Sequence, residues 1–147
     1  MKDVKTEVAK TLAPLLDCFH RVSGQILRAV WRVVVDGSVE RVLLDFDQIS
    51  LVVEADPNTD TVELWAEDKT KIRAADRMDA SDSPTWRSVM GRSFGWGWIT
   101  MNQQGYCDGV LLSFDGITPQ IMLNVTASSI KESKIESLPI KPLTNQR

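Results

Sequence analysis

A single histidine and two cysteines leave this chain of 147 residues short of the groups that metal centres and nucleophilic catalysis use. Structural zinc takes four nitrogen or sulfur ligands, and His20, Cys18 and Cys107 supply three. The two cysteines stand far apart in the chain and make no disulfide framework. The plainer reading is two small buried hydrophobes in a reducing compartment. An excess of cations is missing as well: 17 Lys and Arg stand against 20 Asp and Glu, a formal net charge of −3. Nucleic-acid affinity comes mostly from neutralising phosphates, yet the densest basic stretch (Lys69, Lys71, Arg73, Arg77) is interleaved with Asp68 and Asp76. No nucleic-acid partner is expected. Long apolar runs are absent too; Val33-Val34-Val35 is typical, against about 20 residues for a membrane span. Residues 1–10 carry three lysines, Asp3 and Glu7 and no apolar core of a secretory signal. The expectation is a cytoplasmic protein with no membrane partner and no cofactor.

What is present is an ordinary globular composition, 43% hydrophobic and 25% charged. A chain of this length removes about 68–70% of its unfolded surface from water, so it builds a core without metal or disulfide help. One domain is expected over residues 1–138, with residues 139–147 a flexible C-terminal tail.

Helical period opens the chain: Val4, Val8, Leu12, Leu15, Leu16 and Phe19 recur at spacings of three and four. Pro14 removes a backbone donor, which predicts a kink there or a helix ending near Ala13. After Gly24 the period falls to two. Leu27, Ala29, Trp31, Val33 and Val35 oppose Ile26, Arg28, Val30, Arg32 and Val34, and Asp36-Gly37 supplies a hairpin turn. Strands follow over Val42–Phe46, Ile49–Ala55 and Thr61–Glu67, which makes a four-stranded antiparallel meander. Residues 68–83 read as a solvated loop or a weak surface helix near Arg73–Met78. Ser83-Pro84 and Gly91 frame a short helix that presents Trp86. Strands resume at Phe94–Trp98, Tyr106–Phe114, Ile117–Val125 and Ser129–Leu138, with turns at Asn102–Gly105 and Asp115-Gly116. The fold class is α+β: an N-terminal helix packed on a mostly antiparallel, strongly curved sheet of about seven or eight strands, curled into a partly open barrel or two layers.

Three constellations bear on chemistry. Cys18 and His20, two residues apart, form a nucleophile and base only if they meet at hydrogen-bond distance. Asp45, Asp47, Glu54, Asp56, Asp60 and Glu63 could hold a hard cation or act as an acid–base pair. The plainer reading makes them the solvent faces and turns of a sheet, balanced by Arg41 and Arg73. Third, Gly91 to Gly97 matches neither the phosphate-binding loop nor the dinucleotide fingerprint. Its glycines alternate with Phe94, Trp96 and Trp98 and leave a bare face that another backbone or a bulky side chain can approach.

That aromatic segment carries most of the functional signal. Trp86, Trp96 and Trp98 lie close together, and Gln104, Tyr106 and Asp108 follow as polar groups able to orient a ligand. Tryptophan and tyrosine are enriched at interface hot spots, but their area also suits a core. The pattern favours core for Trp96 and one neighbour. Trp65 shares a face with Glu63, and an exposed position is expected for it. The candidate binding residues are Trp65, Trp86, Trp98, Gln104, Tyr106 and Asp108; no catalytic or metal residue is assigned.

The run Trp96-Gly97-Trp98-Ile99, Asn102-Gln103-Gln104-Gly105-Tyr106, Asp108-Gly109, Phe114 and Ala127-Ser128-Ser129-Ile130 resembles a family of small bacterial proteins of unknown function. The likeness extends back through Gly24-Gln25 and the meander. Small acidic domains of this kind are likened to immunity proteins, so the resemblance implies a protein partner and brings no activity. The functional expectation is a non-catalytic cytoplasmic domain that binds another protein, a basic one for an acidic chain. The alternative is a small-molecule-binding protein or enzyme, with a pocket near residues 94–108 and the loop at 68–83. A homo-oligomer joined by sheet edges or an apolar face is the third.

Overall fold

The structure, a computed structural model, describes residues 4–68 and 77–136. It opens with α1 (Val4–Val22), which runs through Pro14 without ending at Ala13. Five strands form the first sheet: β1 (Ala29–Val35), β2 (Ser38–Asp45), β3 (Ile49–Asp56), β4 (Thr61–Asp68) and β5 (Arg77–Asp79), in the order β4-β3-β2-β1-β5. Four form the second: β6 (Phe94–Met101), β7 (Cys107–Phe114), β8 (Ile121–Thr126) and β9 (Ser129–Lys134), in sequence order. All pairings are antiparallel. The α+β class holds, with nine strands in two sheets, neither of them closed.

The predicted meander is β1 to β4. The Asp36-Gly37 turn works as expected: both residues hold positive φ, 49° and 80°, which matches the twist of the flanking strands. The segment expected as loop or weak helix instead contributes β5, whose Arg77, Met78 and Asp79 pair with Val33, Arg32 and Trp31. Residues 69–76 lie outside the described residues, as do the tail at 139–147 and Arg73. The short helix expected after Ser83-Pro84 contracts to a single 3-10 turn, Arg87–Val89. Ser83 O accepts the N–H groups of Trp86 and Arg87, and Gly91 leaves the turn at φ 77°.

Alternation places Val42, Leu44, Leu51, Val53 and Leu64 of the first sheet in one buried cluster with Val110, Leu112, Ile121 and Leu123 of the second. At one side α1 packs against β4 and β6 and adds Cys18, Phe19 and Val22. There Phe94 stacks on Phe19 at 5.9 Å and meets Phe46 and Phe114 edge-on, an arrangement that rings with a negative face and positive edge favour. At the β1–β9 side the loop after β5 inserts Trp86 and Val89. A polar clasp joins two hairpin tips: Asp60 Oδ1 accepts the Ser128 N–H at 2.8 Å, and Ser128 Oγ donates to Pro57 O at 3.2 Å.

Candidate functional site

The six sequence-predicted binding residues do not converge. Trp86 is wholly buried, which removes it as a surface anchor. Its indole N–H donates to Glu132, whose carboxylate also takes the Arg32 guanidinium through Nε and, at 3.0 Å, through Nη2. A tryptophan inside a sandwich needs a partner for its N–H, and Glu132, with a side chain only 7% exposed, needs a cation. Each solves the other's problem.

Trp65 is half-buried rather than exposed. It ends a cross-strand row on the outer face of the first sheet, Trp31 opposite Leu43, Leu43 opposite Val52, and Val52 opposite Trp65. Arg41 lies over the Trp65 ring at 5.8 Å and Arg77 over Trp31 at 4.4 Å. The Trp31 N–H donates to Asp45 at 2.9 Å, and Ser50 donates to the other oxygen of the same carboxylate. Trp98 is half-buried opposite Leu111 on the outer face of the second sheet. Gln104 and Tyr106 stand exposed in the β6–β7 turn, where Asn102 Oδ1 accepts the N–H groups of Gln104 and Tyr106. Asp108 accepts the Thr100 hydroxyl at 3.2 Å.

The apolar cleft lies at the opposite end of the aromatic strand. It measures about 330 Å³ and is lined by Leu16, Phe19, His20 and Ser23 of α1 and its end and by residues 94–97 of β6. A β-bulge makes it. One extra residue sits between Phe94 and Gly97, and the hydroxyl of Ser113 fills the gap by accepting the Trp96 N–H at 2.8 Å. The bulge breaks the expected alternation. Phe94 turns into the core, while Trp96, expected in the core, is 57% exposed. The glycines are used as the sequence implied, though not on one shared face. A Cβ on Gly97 would overlap the Phe19 ring, and one on Gly95 would overlap the carbonyl oxygen of Gly116.

Beside the cleft runs the free edge of β6. Phe94 spends its outward backbone groups on the chain itself: its N–H donates to Gln25 O at 2.8 Å, and its C=O accepts from Gly24 at 2.9 Å. Ile26 bridges Ser93 in the same strand-like pairing. Over residues 95–101 the described residues provide no backbone partner on that side. Edge strands are ordinarily blunted by charge or proline. β4 carries Glu63, Glu67 and Asp68, β5 carries Arg77 and Asp79, and β9 carries Lys131, Glu132 and Lys134. β6, Phe-Gly-Trp-Gly-Trp-Ile-Thr-Met, carries none. Reading each strand for charge would have singled out both β6 and the central strand β8, so the lack of charge marks an edge only once the strand order is known; the bulge and the cleft have no such signal.

The other constellations stay apart. Cys18 Sγ donates to Pro14 O at 3.3 Å and lies 3.7 Å from Leu64 O, and burial pushes its thiol pKa up. Burial, helped by Asp108, does the same at Cys107. Both thiols are therefore held protonated and poorly nucleophilic. Among the described residues no group of three or more His, Cys, Asp or Glu converges as a metal site, and no helix is long and apolar enough to cross a membrane.

In comparisons with known proteins, a family model described as a family of unknown function (DUF6334) matches residues 11–138. No curated protein and no solved structure matches the chain. The expected likeness to a family without known function thus holds, while the immunity-protein likeness has no counterpart in these findings.

Proposed function

We propose, from the premise that the chain belongs to this family of unknown function, that it is a non-catalytic protein-binding domain which accepts an extended segment of a partner protein along the free edge of β6. The supporting observation is that β6 alone among the four sheet-edge strands carries no charged residue. Strand addition draws affinity from main-chain hydrogen bonds and specificity from pockets for alternate side chains. The edge offers the first, and the cleft under Trp96 offers the second. Residues 24–26 already use the start of this edge in the same manner. The net charge of −3 favours a basic partner through long-range attraction. An immunity-like role, neutralisation of such a partner, is a narrower form of this reading. It places the protein in a reducing cytoplasm, which suits its two unpaired thiols.

Selection of randomised peptides on the whole chain tests the reading, with binders titrated by tryptophan fluorescence. Enriched peptides are expected to carry apolar residues at alternate positions, and Trp96→Ala should weaken them tenfold or more, as for an interface anchor. Binders that ignore both Trp96→Ala and Met101→Asp, or no enrichment at all, would overturn it. The small-molecule alternative has one observation behind it, since about 330 Å³ lies at the low end of ligand cavities. The polar side chains in that lining are His20 and Ser23, few for orienting a compact ligand.

A further inference from the structure

Resting on the reading of β6 as a strand-accepting edge, we infer what that edge selects: an antiparallel segment, held through the main chain of Gly97 and Ile99, whose residue opposite Gly97 carries a large apolar side chain into the cleft beside α1. The pairing of β6 with β7 is continuous only from Gly97 to Thr100, opposite Leu112 to Gly109, and its register shifts on both sides of that piece. In the first shift the Trp96 N–H is turned towards β7, where it donates to Ser113 Oγ. The regular piece takes its direction from its neighbour. Leu112 C=O accepts the Gln120 N–H and so points towards β8. Its opposite, Gly97, forms with it the kind of antiparallel pair that exchanges no hydrogen bonds. The N–H and C=O of Gly97 therefore face the free side, and alternation repeats this at Ile99.

An antiparallel segment laid along this side exchanges main-chain hydrogen bonds with both residues. Its residue between them stands opposite Trp98, on the outer face, in the closely spaced unbonded pair. The residue opposite Gly97 shares the face on which Gly97 meets the Phe19 ring. Gly97 has no side chain to occupy that position, and the cleft adjoining it brings Leu16 and His20 beside Phe19. Leu16 is 39% exposed although apolar, so an incoming aromatic or long aliphatic side chain covers it. A charged side chain there would lose water against Leu16 and Phe19 and gain no partner of opposite sign from the lining. The chain itself fixes the end of the segment. Beyond the bulge, the outward groups of Phe94 are already bonded to residues 24 and 25. The residue opposite Gly97 is thus the last before the segment turns away, which makes it the anchor.

The test is an N-methyl scan of a peptide selected on the whole chain, which removes one main-chain donor at a time. Two positions, separated by one residue, should each lose affinity about tenfold or more, as befits hydrogen bonds left unmade in a contact. The position between them, whose N–H points away from β6, should lose much less. One of the two sensitive positions should be the apolar anchor, and its truncation to alanine should cost about tenfold or more. Leu16→Ala, with an unchanged circular-dichroism spectrum, should weaken the parent peptide yet leave the alanine-truncated peptide nearly unaffected, the signature of a direct contact. Peptides that need Trp96 and Met101 but lose affinity without this alternation, or whose anchor ignores Leu16, overturn the assigned register and leave the strand-accepting reading standing. Peptides indifferent to both Trp96 and Met101, or no enrichment at all, overturn that reading and the register with it.

Discussion

Glu132 illustrates how much rests on one residue. Its carboxylate satisfies the indole N–H of Trp86 and takes a two-pronged contact from Arg32, and Arg32 also reaches the Ser83 hydroxyl at 3.4 Å. Removing one member of such a group leaves the others desolvated without a partner, at about 1–3 kcal/mol for each unsatisfied polar group. Glu132→Ala should therefore lower the urea-unfolding free energy by at least that amount. Glu132→Gln, which keeps an acceptor for one donor, should cost less, and Trp86→Phe should recover part of the loss when added to Glu132→Ala. A Glu132→Ala chain within about 0.5 kcal/mol of wild type, the range of ordinary surface changes, would show that the group contributes little. The local signals around Trp86, Ser83-Pro84 before it and Gly91 after it, were legible and marked a turn. Its inward direction was not, because its partner lies 46 residues on.

Elements show the same division between local pattern and distant partner. The period of two from β1 to β4 was readable because each strand buries one side, and register follows from that alternation. β5 was not, since three residues with an exposed Met78 form a strand only through β1. The acidic set resolves here too. Glu63 sits directly opposite Glu54 in the β3–β4 ladder, Asp56 is close by, and Arg41 is committed to Glu54 at 3.1 Å. Partial burial first, then the charges of Asp56 and Glu54, hold the Glu63 carboxyl above its ordinary value of 4.5. An acid whose pKa rises on folding binds its proton more tightly in the folded state, so stability falls as pH climbs from that ordinary value through the raised one. The full cost is then present at neutral pH and absent in acid. Glu63→Gln should raise the melting temperature at pH 7 and leave it unchanged near pH 3. The gain should stay within about 1 kcal/mol, the size of a cross-strand like-charge effect, and shrink with added salt. An equal effect at both pH values would mean that the change acts through packing rather than charge.

At the scale of the whole molecule, the question is whether two sheets and a helix behave as one body. The composition foretold a sizeable core, and the chain pattern foretold its parts, but nothing local foretold that four phenylalanines would meet. Phe19 comes from α1, Phe46 from just after β2, Phe94 from β6 and Phe114 from β7, with ring centroids 5.8–5.9 Å apart around Phe94. The helix thus meets the second sheet through Phe19, for which the glycine at position 97 leaves room, and the first sheet through β4, where Cys18 lies against Leu64 O and Arg21 donates to Ala66 O. Such a shared core should unfold in one cooperative step. Far-ultraviolet circular dichroism, which reports both sheets and the helix, and tryptophan fluorescence should give superimposable denaturation curves. Phe19→Ala should shift both by the same amount, about 3–5 kcal/mol for a large buried ring replaced by a methyl group. Two separated transitions, or a Phe19→Ala chain in which only the helical signal is lost, would show that α1 rides on the sandwich rather than completing it. The cleft beside β6 would then lose the fixed wall that makes it a recess at all, because Leu16, Phe19 and His20 hold that wall only while α1 is docked.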